Sequence, residues 1–291
     1  MLDYNKIEKI DCESQEYPDS LREIKNPPRQ LYCLGDTALL KSVSAAVVGS
    51  RKFTLYGKNV ACMIGRRFAE SGVPVVSGLA NGIDSFAHIG VLEAGGKGIG
   101  VLGSGIKMMG PSRNRQLMFD LLDAGGLVVS EYDPEMAAEP WTFPQRNRII
   151  SGLSKIVVVV EANYNSGALI TAQHANEQGR MIFAVPGNIN SQFSMGSNLL
   201  IRDGAIPLIV IDDAIRELGY TVQAGIKEKI KLGDDEIKVI SEIRKYNGVS
   251  PDVVAKSLKM RVSELNAIIT VLEIKGVVEI YCGKIHLAKE I

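Results

Sequence analysis

The chain is poor in the residues that build disulfide frameworks and metal centres. Only four of its 291 residues are cysteine, Cys12, Cys33, Cys62 and Cys282, no two of them in a CxxC pair, and only three are histidine. That scarcity excludes a disulfide scaffold and supplies no ligand set for a structural zinc ion. Long hydrophobic runs are also missing. "IVVVV" at 156–160 is far too short to span a bilayer, and "MLDYNKIEKI" lacks the apolar stretch of a secretory signal. A cytoplasmic protein with reduced thiols and no membrane segment is expected. Charge of one sign is absent as well, since 33 basic residues balance 33 acidic ones. No bulk field favours a polyanion, so any such ligand needs a local site.

What is present is apolar material, 46% of the chain, enough for one large core and a second small one. From about Val43, short β-branched runs alternate with helical patterns: "SAAVVGS", "VPVVSG", "GIGVLGSG", "GLVVSE", "KIVVVVEA", "RMIFAVPG" and "IPLIVI". Continuous apolar strands separated by helices predict a parallel sheet covered on both faces. Residues 41–225 therefore read as a doubly wound, Rossmann-like α/β domain. Residues 1–40 hold prolines that prevent a long helix and are expected to form an extension packed on that domain. A linker is expected over 226–233. Beyond it, "DEIKVISEIRKY", "SPDVVAKSL" and "VSELNAIITVLEIKG" have helical spacing, and "VVEIYCGKIHLA" gives two short strands. Three helices and a hairpin over 234–291 match a winged-helix module.

In a doubly wound sheet, ligands sit outside the carboxyl ends of the strands. The first exit carries Gly49, Ser50 and Arg51, and a later one carries Ser166 and Gly167 leading into a helix. Backbone N–H groups at such exits are expected to point outward and hold a phosphate. The plainer reading is that Arg51 pairs with a surface acid and the glycines make tight turns. Asp84 and His88, four apart, would share a helix face as an acid–base pair does, but no nucleophile or metal ligand accompanies them, so a structural role is expected. Gly103-Ser104-Gly105 begins a GxGxxG fingerprint, yet Met108 stands where the third glycine belongs. That break disfavours a dinucleotide cofactor.

"FPQRNRIISGLS", 143–154, places two arginines around an asparagine. On an extended backbone Arg146 and Arg148 would face one side, with Asn147 adding a donor and Phe143 a ring on which a base stacks. The reading assigns Arg146 and Asn147 to the ligand and Arg148 to the fold, with Phe143 as a stacking face that could equally be core.

Taken with "YPDSL", "VGSR", "SGLANGIDSFAH", "SGALITAQHANEQGR" and "FAVPGNINSQFSMGSNLLIRDGA", these stretches resemble the DprA/Smf family of DNA-processing proteins. The resemblance implies a protein without known catalysis or cofactor. Such a protein binds and protects single-stranded DNA, helps load the RecA recombinase during natural transformation, and forms a homodimer through the Rossmann-like domain. Arg51 takes the place of a family arginine that holds DNA phosphate, and Arg146, Asn147 and Arg148 that of the family's basic pocket. One departure is "GIKMMGPSRN", where Lys107 and Gly110 replace an aspartate and a tyrosine, so Arg113 and Asn114 lie near the family's DNA loop without reproducing it. In residues 234–291 nine basic side chains meet nine acidic ones, and the third helix carries Glu264 and Glu273. A neutral winged helix is a poor duplex binder, so a protein partner or a role in oligomerisation is expected of it. The rival class is a nucleotide-processing hydrolase related to lysine-decarboxylase-like proteins. It would need a PGGxGT-type loop, and only "VPGNIN" at 185–190 begins similarly.

Overall fold

The computed structural model describes residues 6–108, 112–222, 232–246, 248–281 and 283–287. The chain divides into two compact units, Met1–Gly225 and Ile226–Ile291. In chain order the first unit holds β1 (Glu8–Asp11), α1 (Asp19–Arg22), β2 (Gln30–Gly35), β3 (Ala45–Val48), α2 (Leu55–Glu70), β4 (Val75–Ser77), α3 (Ile83–Glu93) and β5 (Gly98–Val101). It continues through α4 (Ser112–Asp123), β6 (Leu127–Ser130), α5 (Thr142–Gly152), β7 (Ile156–Val159), α6 (Gly167–Glu177), β8 (Met181–Ala184), α7 (Met195–Arg202), β9 (Ile206–Pro207) and α8 (Ile211–Leu218).

Among the described residues the strands form one nine-stranded sheet in the order β1-β2-β6-β5-β4-β3-β7-β8-β9. β3 to β9 run parallel, and β1 and β2 add antiparallel strands at one edge. The strands are apolar on both faces because helices cover both. Ala45 and Val47 of β3 join Ile64, Phe68, Ala87 and Ile215 from α2, α3 and α8. Ala46 and Val48 face the opposite layer, with Leu21, Ile149, Ala168 and Ala172 from α1, α5 and α6.

Two expectations change. Residues 8–35 are not only packed on the domain but lengthen its sheet: Cys33 pairs with Val129 and Leu34 with Val128. Leu31 and Cys33 are buried in the process, and the β6 edge is covered. The run "IPLIVI" is a strand only at Ile206–Pro207. Ile211 already opens α8, whose first turn gains from Asp212 and Asp213 beside the positive helix end.

The second unit contains α9 (Asp234–Ile243), α10 (Pro251–Leu258) and α11 (Val262–Ile274), then β10 (Val278–Tyr281) antiparallel to β11 (Lys284–Leu287). Val239, Ile243, Val254, Leu265, Ile269, Leu272 and Ile285 make its core. Most of the expected linker, 226–231, and Cys282 lie outside the described residues. Among the described residues no helix is long and apolar enough to cross a membrane.

Candidate functional site

The chain starts its parallel strands in the middle of the sheet. From β3 it winds outward through β4, β5 and β6 on one side, and later through β7, β8 and β9 on the other. The switch point is therefore the crevice beyond the ends of β3 and β7, where helices diverge and leave space. A cavity of about 830 Å³ opens there, lined by Arg51, Lys52, Phe143, Asn147, Ser166 and Gly167 among others.

At the β3 exit the expected outward donors are turned inward. The Gly49 N–H donates to Asp84 Oδ1 at 3.4 Å, and the Ser50 N–H donates to the Glu161 carbonyl at 2.7 Å. The start of α2 is also closed. The Thr54 N–H and Oγ1 donate to the Glu161 carboxylate at 2.9 and 2.5 Å, and Thr54 Oγ1 accepts the Gly57 N–H at 3.1 Å. A carboxylate already sits where a phosphate would profit from the helix end. Sequence reasoning passed over Glu161, although an acidic residue ending five apolar ones was the available signal. What faces outward is Arg51, exposed, its guanidinium 5.1 Å from the centre of the Phe143 ring. Across the cavity Ser166 caps α6 by accepting the Ala168 N–H at 3.3 Å. A Cβ at Gly167 would meet open space, so this helix end is accessible.

The "FPQRNR" segment is helical from Thr142 rather than extended. Residues two apart on a helix point to different sides, so Arg146 and Arg148 part company. Arg148 forks onto Glu131 at 3.0 and 2.6 Å and donates to the Gln145 carbonyl at 3.2 Å. Arg146, assigned to the ligand, is not at the surface. It is 4% exposed, and its guanidinium donates to the carbonyls of Val101 and, at 2.9 Å, Gly78. It lines the floor of the cavity as part of the core. Gly78 makes room for it: a Cβ there would lie 2.5 Å from Arg146 Nη2 and 2.6 Å from Asp84 Oδ2. Burial pulls the Arg146 guanidinium down to about 10, helped by the like charge of Arg51, while Asp84 offsets part of that loss. It stays charged at neutral pH. Burial likewise lifts the Asp84 carboxyl, against Arg146 and the backbone N–H groups of Gly49, Gly78 and Ala80. Asn147, half-buried at the rim, donates to the Gly167 carbonyl at 3.2 Å and ties α5 to α6.

At the third exit the described residues pack inward. Asn114, expected near DNA, is buried and donates at 2.8 Å to the carbonyl of Leu79, a residue held at φ 49°. It braces that left-handed turn. The Arg113 side chain lies outside the described residues. A Cβ at Gly103 would come 2.8 Å from the Phe143 ring, and one at Gly105 would strike the Asp133 carbonyl, so both glycines serve packing. Lys107 pairs with Glu135 at 3.2 Å. His88 is fully buried, away from the cavity lining, and forms no acid–base couple at the site. Among the described residues no cluster of three or more His, Cys, Asp or Glu is arranged to hold a metal ion.

A doubly wound sheet with an exposed arginine over an aromatic ring beside an open crevice at its switch point defines a Rossmann-like domain of the kind that carries its site at the carboxyl ends of the strands. The chain belongs to the DNA recombination-mediator protein A family, whose sequence model matches residues 8–219. It is 41% identical over 211 residues to Protein Smf of Escherichia coli, a match covering 72% of this chain and 56% of that one. The X-ray structure of DNA processing protein A from Streptococcus pneumoniae superposes with a TM-score of 0.69 at 38% identity, covering 74% of this chain and 75% of the other. A Helicobacter pylori DNA processing protein A, whose structure concerns its single-stranded DNA binding mode, gives 0.67 at 28% identity over 76% of this chain and all of that one. The chain thus spans little more than half the length of the E. coli relative.

Proposed function

We propose that the protein binds single-stranded DNA in the switch-point crevice, protects it, and helps load a RecA-type recombinase onto it in the cytoplasm during DNA uptake. Turnover has no place in this reading. Membership of a recombination-mediator family supports it, and so does the single-strand binding of the H. pylori relative. The observation that carries it is Arg51, an exposed guanidinium against Phe143 at the mouth of a crevice whose buried charges, Arg146 and Asp84, are committed to the fold. The cation suits a backbone phosphate and the ring suits a base. A homodimer through the Rossmann-like domain would double the footprint and add avidity. We read 234–291 as a winged-helix domain that binds protein rather than duplex DNA, in keeping with its balanced charge.

Fluorescence anisotropy with single-stranded and duplex oligonucleotides tests the reading. The intact protein should prefer the single strand strongly. Arg51→Ala should lose about 1–3 kcal/mol, the size of a charge-assisted phosphate contact. With Arg51 and Lys52 the exposed cations of the lining among the described residues, log K should fall against log salt with a slope of about −1 to −2. Undiminished binding by Arg51→Ala would refute the site.

A further inference from the structure

The charges of the crevice nearly cancel. Its lining holds Arg51, Lys52 and Arg146 against Asp84 and Glu139, and Arg146 is buried. Two exposed cations neutralise only a couple of phosphates, too few to hold a flexible strand by charge alone. The rim, however, is rich in exposed aromatic surface. Trp141, 54% exposed, follows the lining residues Glu139 and Pro140 and precedes α5. Its indole stands edge-on to Tyr132, 6.0 Å between centres, and Tyr132 is itself buried beneath it with its hydroxyl on the Thr142 carbonyl. The indole is thus propped from below while its outer surface faces water. Tyr164, 71% exposed, lies between the lining residues Asn163 and Asn165, in the loop that leads to Ser166 and α6. Large aromatic side chains left in water at the edge of a ligand crevice forgo the burial that would stabilise the free protein, and they gain it when a planar group covers them.

The geometry points to Trp141 and Tyr164 as stacking platforms that extend the crevice on either edge and hold the unstacked bases flanking the nucleotide over Phe143. This rests on the single-strand reading and goes further. Affinity resides chiefly in bases rather than in phosphates, so the ligand class is an unpaired strand with its bases present. Duplex DNA, whose bases are already stacked, cannot cover the rings, and a bare polyphosphate offers nothing to them.

Trp141 is the single tryptophan of the chain, which makes it its own reporter. The full-length protein is titrated with an oligothymidylate of about twelve nucleotides, a length suited to a stacking groove. Indole emission and affinity are both read. Trp141 fluorescence should be quenched on saturation, and Trp141→Ala and Tyr164→Ala should each bind about tenfold more weakly, the low end of one lost base stack. Trp141→Phe should recover much of that loss, which a merely structural role for the indole would not require. An oligonucleotide of equal phosphate number with abasic sites throughout should bind poorly to the intact protein. Absent quenching and unchanged affinity in both alanine variants, with Arg51→Ala still defective, would overturn the platforms and leave the crevice standing. Equal affinity for the abasic strand would also overturn them. No binding of oligothymidylate by the intact protein would overturn both readings.

Discussion

Acid should destabilise this protein in part through one buried residue, His88. Its side chain is 0% exposed on α3, with neither ring nitrogen in a well-formed hydrogen bond. A Cβ at Gly98 of β5 would stand 3.1 Å from its Cδ2, so the ring lies directly against the sheet. Burial drives its pKa from 6.5 to about 4, and the backbone of Val75 and Ile99 offsets only part of that. A histidine held neutral in the fold binds its proton more readily once the chain unfolds. The unfolded state therefore takes up more protons between pH 6.5 and 4, and stability falls as pH falls through that window. For those two pKa values the loss is about 2 kcal/mol at pH 5 and about 3 kcal/mol at pH 4, relative to pH 7. Other groups titrate in the same range. Asp84, whose carboxyl is raised by burial, works in the opposite direction. The measurement must therefore be a difference: urea midpoints of the native chain and of His88→Leu at pH 7, 6, 5 and 4. Leucine is close in volume and lacks the unsatisfied nitrogens, so it should be near neutral or stabilising at pH 7. The gap between the two proteins should widen toward pH 4 by about 3 kcal/mol. Parallel pH profiles would refute the assignment.

The buried charges near the site give two sharper mutational tests. Gly78→Ala would push a methyl group against both Arg146 and Asp84, which flank that position at 2.5 and 2.6 Å, and should cost about 2 kcal/mol or more by denaturant titration. Arg148→Ala strips the partner from the Glu131 carboxylate, whose side chain is 11% exposed, and should cost about 3 kcal/mol. Adding Glu131→Gln should return part of that loss, and a double variant no more stable than the single one would contradict the pairing.

How far the sequence could be read depended on the range of the interaction. The parallel strands were legible because each is a continuous apolar run, as a strand buried on both faces must be. The edge strands were not, because β2 pairs with β6 across nearly a hundred residues and nothing local announces Leu34 opposite Val128. The exposure of Arg51 at the crevice was legible from its place after Gly-Ser at a strand end. The inward placing of Arg146 was not legible, for a local reason. Pro144 lies in the first turn of α5, where its missing N–H costs little, so the helix begins earlier than the run "RIISGLS" implies. With that shift, spacing that would put two arginines on one side sends them apart. The burial of Asn114 was not legible for a different reason, since its partner is the carbonyl of a left-handed leucine thirty-five residues away.

The same inward turn of polar groups narrows what the crevice can hold. Rossmann-like folds take pyrophosphate on backbone donors at the first helix, and here the donors of the β3 exit and of α2 already face Asp84 and Glu161. Two adjacent phosphates would meet two carboxylates and compete poorly for donors already in use. A single phosphate needs less, and Arg51, Lys52 and the open end of α6 remain for it. On the proposed reading, one nucleotide in the crevice is therefore weakly held, and useful affinity comes from its neighbours along the strand and from a second protomer. Free nucleotides at cellular concentrations would not displace such a strand, which gives a neutral protein selectivity for polymer over monomer without a strongly basic surface. Glu161→Gln gives this a separate handle: removing that charge should improve the binding of a small pyrophosphate ligand such as adenosine diphosphate, measured by calorimetry, without improving that of the strand.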